Sequence, residues 1–192
     1  MNNKRIGFAL CGSFCTFSQA IKQIEVLAEM GADVFPIMSF NAYSISTRFG
    51  KAEEHIERIE KLCGKKIIAS IFDAEPIGPK NLLDLLIIEP CTGNTLGKLA
   101  NGITDTPVTL AAKAHLRNEK PLLIAVSSND ALTASAANIG KLLNTKNIYF
   151  VPMRQDSPIN KTRSVVADFS KTAASAEAAL NGLQIQPILT EI

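Results

Sequence analysis

Leu82-Leu83-Asp84-Leu85-Leu86-Ile87-Ile88 runs directly into Glu89-Pro90-Cys91-Thr92-Gly93-Asn94-Thr95-Leu96-Gly97-Lys98-Leu99-Ala100-Asn101-Gly102-Ile103-Thr104-Asp105. The aliphatic residues Leu85 to Ile88 read as a strand buried on both faces, the usual state of a strand in a parallel sheet. The polar turn Thr92-Gly93-Asn94-Thr95 opens into a short helical run that Gly102 closes. A helix N-terminus and small hydrogen-bonding side chains thus fall at the carboxyl edge of a central strand. Open α/β sheets bind their ligands there.

The flanking sequence repeats the alternation. Arg5 to Leu10 is a first strand, and the turn Cys11-Gly12-Ser13-Phe14-Cys15-Thr16 follows it. A helix then carries Ala20, Ile21, Ile24, Leu27 and Ala28 on one face, with Gly31 just past its end. Asp33 to Met38 is a second strand, so the chain begins with a βαβ unit and a right-handed crossover. Residues 39–50 read as a long polar loop, 51–63 as a charged amphipathic helix, Lys66 to Ser70 as a short strand, and Asp73 to Lys80 as a connector. Beyond the central helix come a helix from Pro107 to Arg117, a buried strand from Pro121 to Val126, and a small-residue helix from Thr133 to Leu143. The strand Ile148 to Val151 and the helix Thr172 to Leu180 complete the pattern. Strands alternating with helices predict an α/β fold, a doubly wound, mainly parallel sheet with helices on both faces. The expected organisation is one domain over residues 1–192, with no repeat and no low-complexity tract.

Composition narrows the function. A length of 192 residues, 46% of them hydrophobic, suits one domain with a full core. Twenty Lys and Arg against 18 Asp and Glu leave a net charge of +2, without the concentrated basic charge of a nucleic-acid or membrane-surface binder. The longest apolar runs are strand-sized and Met1 to Arg5 leads straight into a strand, so a cytoplasmic location is expected. The cysteines at 11, 15, 63 and 91 fit no zinc spacing and read as reduced, partly buried thiols. His55 and His115 fall on separate helices and read as surface residues, so no metal site is expected.

Four strand ends carry short polar runs: Gly12-Ser13 with Thr16, Ser39 with Asn41, Thr92-Gly93-Asn94-Thr95, and Ser127-Ser128-Asn129. In this fold they line one edge of the sheet, where hydroxyls, backbone N–H groups and helix N-termini suit a phosphate. Helix capping explains any one of these turns alone. Four on one edge point to a nucleotide-like ligand. The first turn is neither the G-x-G-x-x-G fingerprint nor a P-loop, which favours a mononucleotide over NAD. Lys98 either approaches such a phosphate or stands as a solvated helix lysine.

The Gly12-Ser13 turn and the run from Pro90 to Asp105 resemble the flavin-binding motifs of the homo-oligomeric flavin-containing cysteine decarboxylase superfamily. Within it, Lys4-Arg5-Ile6-Gly7-Phe8, Asn41 with Thr47-Arg48-Phe49-Gly50, and Ala74-Glu75-Pro76-Ile77-Gly78-Pro79-Lys80 resemble the family of dipicolinate synthase B subunits. So do Ala111-Ala112-Lys113-Ala114, Asn129-Asp130-Ala131-Leu132, Thr145-Lys146-Asn147-Ile148, Gln155-Asp156 and Gln186-Pro187-Ile188-Leu189, and the likeness spans nearly the whole chain.

That resemblance implies a Rossmann-like flavoprotein fold and a part in oxidising a dihydrodipicolinate-type precursor to dipicolinic acid, pyridine-2,6-dicarboxylate, in the mother cell of a spore-forming bacterium. It implies a dehydrogenase-like A subunit as partner, carrying NAD(P), and homo-oligomers. It places an FMN phosphate or ribityl chain at Gly12, Ser13 and Ser39, the flavin or substrate at Thr92, Asn94 and Thr95, and the rim at Ser127 to Asn129. Arg48 and Lys80 are the cations suited to the substrate's carboxylates on chemical grounds; no catalytic residue is identified. The decarboxylases carry a histidine before the central strand, whereas residues 73–84 contain none, and no cysteine follows Cys91. Decarboxylation is therefore expected to be lost. Two alternatives stay open: a non-catalytic FMN- or phosphate-binding scaffold for the A subunit, and a residual flavin-dependent decarboxylase.

Overall fold

The computed structural model describes residues 1–191. Its strands are β1 (Arg5–Leu10), β2 (Asp33–Met38), β3 (Leu85–Cys91), β4 (Leu122–Ser128), β5 (Ile148–Phe150), β6 (Met153–Ser157) and β7 (Lys161–Ala167). The helices are α1 (Phe17–Glu29), α2 (Phe40–Ser44), α3 (Ala52–Cys63), α4 (Ile71–Ala74), α5 (Gly93–Ala100), α6 (Pro107–Arg117), α7 (Ala136–Leu143) and α8 (Thr172–Leu180). The strands form one sheet in the order β2-β1-β3-β4-β7-β6, with β5 also paired to β4. β1 to β5 pair in parallel, while β7 joins β4 and β6 antiparallel. The expected doubly wound, mainly parallel sheet is what the chain builds.

Period-two alternation along the strands assigns every helix to a face. Phe8, Leu85, Ile87 and Leu123 point to one layer, where they meet Phe17, Ile21 and Ile24 of α1, Ile59 of α3 and Ala176 of α8. Ala9, Leu86, Ile88, Ile124 and Val126 point to the other, against Leu96 of α5, Val108 and Ala111 of α6 and Leu142 of α7. Each fully buried Leu, Ile or Phe contributes about 1.5–3 kcal/mol relative to exposure. Helices on both faces leave the sheet only its ends to offer a ligand. The reversal of strand order falls between β1 and β3, the point at which sheets of this kind open a crevice.

Some local expectations are corrected. The loop expected over 39–50 contains α2, because the Ser39 hydroxyl accepts the Ala42 N–H and starts a helical turn. The expected strand at Lys66 to Ser70 is a single bridge, Ile68 to Ile37, and the connector at 73–80 holds the end of α4 and a 3-10 turn. α7 begins at Ala136 rather than Thr133 because Asp130 organises the preceding turn, its carbonyl accepting from the N–H groups of Thr133 and Ser135. β4 runs on to Ser128 because β7 pairs with Ser127 and Ser128. The hairpin of β6 and β7 interrupts the expected alternation, in a stretch between Val151 and Thr172 where the sequence pattern predicts no element. His115 is 1% exposed instead of superficial, with Nε2 2.8 Å from the Pro121 carbonyl, and the buried Nε2 of His55 lies in a contact where the ring meets Phe17 edge-on.

No helix among the described residues is long and apolar enough to cross a membrane. Nor do three His, Cys, Asp or Glu side chains cluster among them as a metal site would require.

Candidate functional site: a cleft at the carboxyl edge of the sheet

A cleft of about 1340 Å³ opens where β1, β3 and β4 end. The β1 turn brings Gly12, Ser13 and Thr16 to it. The β3 turn brings Thr92, Gly93 and Asn94, and the end of β4 brings Ser127, Ser128 and Asn129. Arg48 enters from the turn before α3. Ten of the fourteen residues singled out from sequence therefore meet in one concavity. Ser39 and Asn41 stand beside it: the Ser39 N–H donates to the Leu10 carbonyl at 3.0 Å, and the Asn41 Cβ is 3.6 Å from where a Gly12 side chain would begin. Thr95 is buried behind the wall. Lys80 does not join them, because it precedes β3 and lies toward the amino edge, its N–H bonded to the Pro76 carbonyl.

Separate loops are tied together here. Ser13 Oγ and Ser127 Oγ are 2.8 Å apart, so a hydroxyl from the first turn meets one from β4, 114 residues on. Thr16 Oγ1 donates to the Ser13 carbonyl at 2.8 Å and reaches the Ser13 hydroxyl at 3.3 Å. Thr95 Oγ1 donates to the Cys11 thiol at 3.2 Å and lies 3.3 Å from Thr92 Oγ1, linking the β3 turn to the end of β1. Hydroxyls that close helices separate here from hydroxyls that do not. Ser39 closes the end of α2, whereas Ser13 and Thr92, which also precede helical turns, make no capping bond with their side chains. Their hydroxyls bond across the site instead, Ser13 to Ser127 and Thr92 to Thr95.

The start of α5 is filled by the protein itself. A Cβ at Gly93 would sit 2.6 Å from Asp130 Oδ1, 2.7 Å from Ser135 Oγ and 2.8 Å from Ser128 Oγ. Asp130 Oδ1 accepts from both of those serines. Only glycine fits so close to three oxygens, and the carboxylate balances the positive end of the α5 dipole. Lys98 likewise makes no approach to the cleft; its ammonium donates to Asp105 at 2.7 and 2.9 Å.

Burial sets the protonation of what lies beneath. Desolvation pushes the Cys11 thiol up to about 11, partly offset by the Thr95 hydroxyl, and lifts Cys91 well above the usual thiol range. Both remain neutral thiols. Glu89 is 0% exposed, and its Oε2 accepts from Thr172 Oγ1 at 2.6 Å, while Oε1 has no partner among the described residues. Burial raises this carboxyl well above the usual carboxylate range and favours its protonated form, held by Thr172 at the start of α8.

One wall of the cleft lies outside the sequence-based expectation. Arg154 and Asp156 of β6, Lys161, Ser164 and Val166 of β7, and Lys22 of α1 also line it. A signal for the hairpin is present: Met153-Arg154-Gln155-Asp156-Ser157 and Lys161-Thr162-Arg163-Ser164-Val165 flank Pro158-Ile159-Asn160, polar strands around a turn.

A mainly parallel sheet ordered 2-1-3-4-5 through its first five strands, with a hydroxyl-lined crevice at the reversal of strand order, defines a mononucleotide-type flavoprotein fold. Residues 1–179 match the family described as Flavoprotein, and the chain belongs to that family. It is 47% identical over 191 residues to the B subunit of dipicolinate synthase from Bacillus subtilis (strain 168), covering 100% of this chain and 96% of that protein. The crystal structure of the dipicolinate synthase B subunit from Bacillus halodurans C superposes with a TM-score of 0.91 at 44% identity, over 100% of this chain and 99% of the other. The FMN-dependent cysteine decarboxylase SpaF shares the fold, with a TM-score of 0.67 at 22% identity over 93% of this chain and 97% of that one.

Proposed function

We propose that this chain is the B subunit of a two-component dipicolinate synthase, and that its cleft holds a flavin mononucleotide beside a dihydrodipicolinate-type precursor of pyridine-2,6-dicarboxylate. The observation that carries the reading is the 47% identity, sustained over the whole chain, to a protein of that name. The donor set of the cleft fits the cofactor. Ser13, Thr16 and Ser127 offer hydroxyls to a phosphate or ribityl chain, and Phe14, Val26 and Phe169 offer apolar surface to a ring. Gly12, Thr92, Asn94 and Asn129 complete that lining, with Ser39 and Asn41 at its margin.

Aromatisation removes one hydrogen as a hydride and one as a proton from the dihydropyridine. A bound flavin supplies a two-electron acceptor. The chain's own residues would position the reactants: the hydroxyls of Ser13, Thr16 and Ser127 would hold a phosphate end, Phe14, Val26 and Phe169 would keep water from a ring, and the cleft's cations would hold the substrate's carboxylates. The A subunit carries the NAD(P) site in this reading, and the assembly works in the cytoplasm of a sporulating mother cell.

Co-expression with the A subunit tests it. The assembly should copurify with visible flavin absorbance and form pyridine-2,6-dicarboxylate, and omission of this chain should abolish the product. Equal product from the A subunit alone would overturn a catalytic role. The decarboxylase reading has less support, because neither His55 nor His115 lines the cleft.

A further inference from the structure

The cleft's charged side chains divide into committed and uncommitted groups. All three carboxylates that line it are engaged within the chain: Asp130 by Ser128 and Ser135, Asp156 by Lys161 at 2.5 Å, and Asp168 by the N–H and hydroxyl of Ser170 at 3.1 and 2.6 Å. Of its four cations only Lys161 has a carboxylate partner; Lys22, Arg48 and Arg154 have none among the described residues. Hydrogen bonds from neutral groups hold two of these carboxylates without cancelling their charge, but three of the four cations have no carboxylate partner among the described residues, so their forks and ammonium stay open to an anionic ligand.

The two arginines among them stand on hydrogen-bonded segments of the chain, a turn and a hairpin. Arg48 stands on a turn closed by reciprocal bonds between Thr47 and Gly50, N–H to carbonyl at 3.0 and 3.1 Å, and its guanidinium lies 4.9 Å from the Phe49 ring centroid. Arg154 stands opposite Val166 in the hairpin, which the Lys161–Asp156 pair and a 2.6 Å bond from Gln155 Nε2 to the Thr162 carbonyl staple together. A guanidinium presents a planar fork that pairs with a carboxylate through two parallel bonds; the ammonium of Lys22 is a point charge on a flexible stem.

We infer that Arg154 is the second carboxylate-binding residue of the substrate site, acting with Arg48 so that the cleft selects a dicarboxylate over a monocarboxylate. This rests on the dipicolinate synthase reading above and extends it to a residue on the antiparallel hairpin. The hairpin is thereby a specificity element added to the parallel sheet: the turns after β1, β3 and β4 hold the cofactor, and β6 and the Thr47–Gly50 turn hold the two ends of the substrate.

The test uses the assembly of this chain with its A subunit, and direct titration of the chain with pyridine-2,6-dicarboxylate and with pyridine-2-carboxylate. Arg154→Ala should raise KM at least tenfold with kcat within threefold. It should abolish the preference for the dicarboxylate while leaving the affinity for FMN unchanged. Arg154→Lys, which keeps the charge and loses the fork, should recover only part of the affinity. Arg154 is exposed, so its truncation leaves the core intact. An active wild-type assembly whose Arg154→Ala variant keeps KM and dicarboxylate affinity within twofold would overturn the inference and leave the functional reading standing. An inactive wild-type assembly in which this chain still binds the dicarboxylate through Arg154 would overturn the functional reading and support the site. Loss of both activity and binding in the wild type would overturn both.

Discussion

The two edges of the sheet are built from opposite chemistry. At the amino edge, charge is closed on itself: the Asp84 carboxylate accepts from Arg5 Nη2 at 2.9 Å, Arg5 Nε at 3.3 Å and the Arg5 backbone N–H at 3.0 Å, with Lys120 Nζ at 3.9 Å. The guanidinium holds this carboxyl down to about 2. At the carboxyl edge, neutral hydroxyls meet one another and Arg48 and Arg154 have no carboxylate partner among the described residues. Where the arginine is matched by a carboxylate within the chain, as Arg5 is by Asp84, the charge serves folding; where it is left over, as at Arg48 and Arg154, the charge is open to a ligand. Lys80 lies toward the first edge, and Arg48 and Arg154 line the second.

The largest expected effect falls where the carboxyl edge is most crowded. Gly93→Ala puts a methyl within 2.6–2.8 Å of three oxygens, and the Asp130 knot must open to admit it. Overpacking of this kind costs about 3 kcal/mol, and the β3 turn shifts with it. Thermal unfolding should show a clear drop in Tm, and FMN titration should show binding lost. Near-native values for both would mean that the knot is pliable and that the edge is not preorganised.

Two buried titratable groups, one toward each edge, give opposite responses to pH. His115 packs against the start of β4, and burial lowers its pKa to about 4, so the folded chain keeps it neutral where the unfolded chain protonates it. Its contribution, on the order of 3 kcal/mol at neutral pH, is lost as pH falls from 6.5 toward 4. Glu89, near the carboxyl edge, behaves in the reverse sense. Its raised pKa makes the folded chain keep a proton that the unfolded chain releases, so stability declines as pH rises above the ordinary carboxylate range. Between pH 4.5 and 6.5 the two slopes oppose each other. Urea unfolding across that window should show stability rising with pH in Glu89→Gln, which leaves the histidine slope, and falling with pH in His115→Gln, which leaves the glutamate slope. Equal slopes in both variants would show that neither group titrates as its burial dictates.

Legibility in the sequence follows the range of the interactions. Leu85 to Ile88 and the α1 face of Ala20, Ile21, Ile24 and Leu27 reveal themselves by local periodicity, and the β3 turn by its glycine and threonines. The parallel sheet and the gathering of Ser13, Thr92 and Ser127 follow from that order alone. The hairpin is less visible because β6 and β7 are half-exposed, and their pairing to β4 rests on two residues, Ser127 and Ser128. Lys80 misleads for another reason. Its charge suits a carboxylate, but only the direction of β3 shows that residues before the strand belong to the far edge. Whether a hydroxyl caps a helix, as Ser39 does, or faces a cleft, as Ser13 does, depends on small differences of position that no spacing encodes.

The smallest effects make the sharpest comparison, because they separate the edges in a crossed design. Ser127→Ala removes the partner of Ser13 Oγ and one cleft hydroxyl. It should weaken FMN binding by about tenfold, the worth of one hydrogen bond to a charged group, with Tm nearly unchanged. Asp84→Asn leaves Arg5 without its counter-charge on a half-exposed surface, where solvent screening limits the loss to about 1 kcal/mol. It should lower the urea midpoint slightly and leave FMN affinity unaltered. Asp84→Asn should also remove the stability lost between pH 3.8 and about 2, since a depressed carboxyl stabilises the fold above its unfolded pKa and ceases to do so as pH falls through its folded one. If Asp84→Asn weakens FMN as much as Ser127→Ala does, the edges are coupled through β3 and β4, and the division between a folding edge and a binding edge fails.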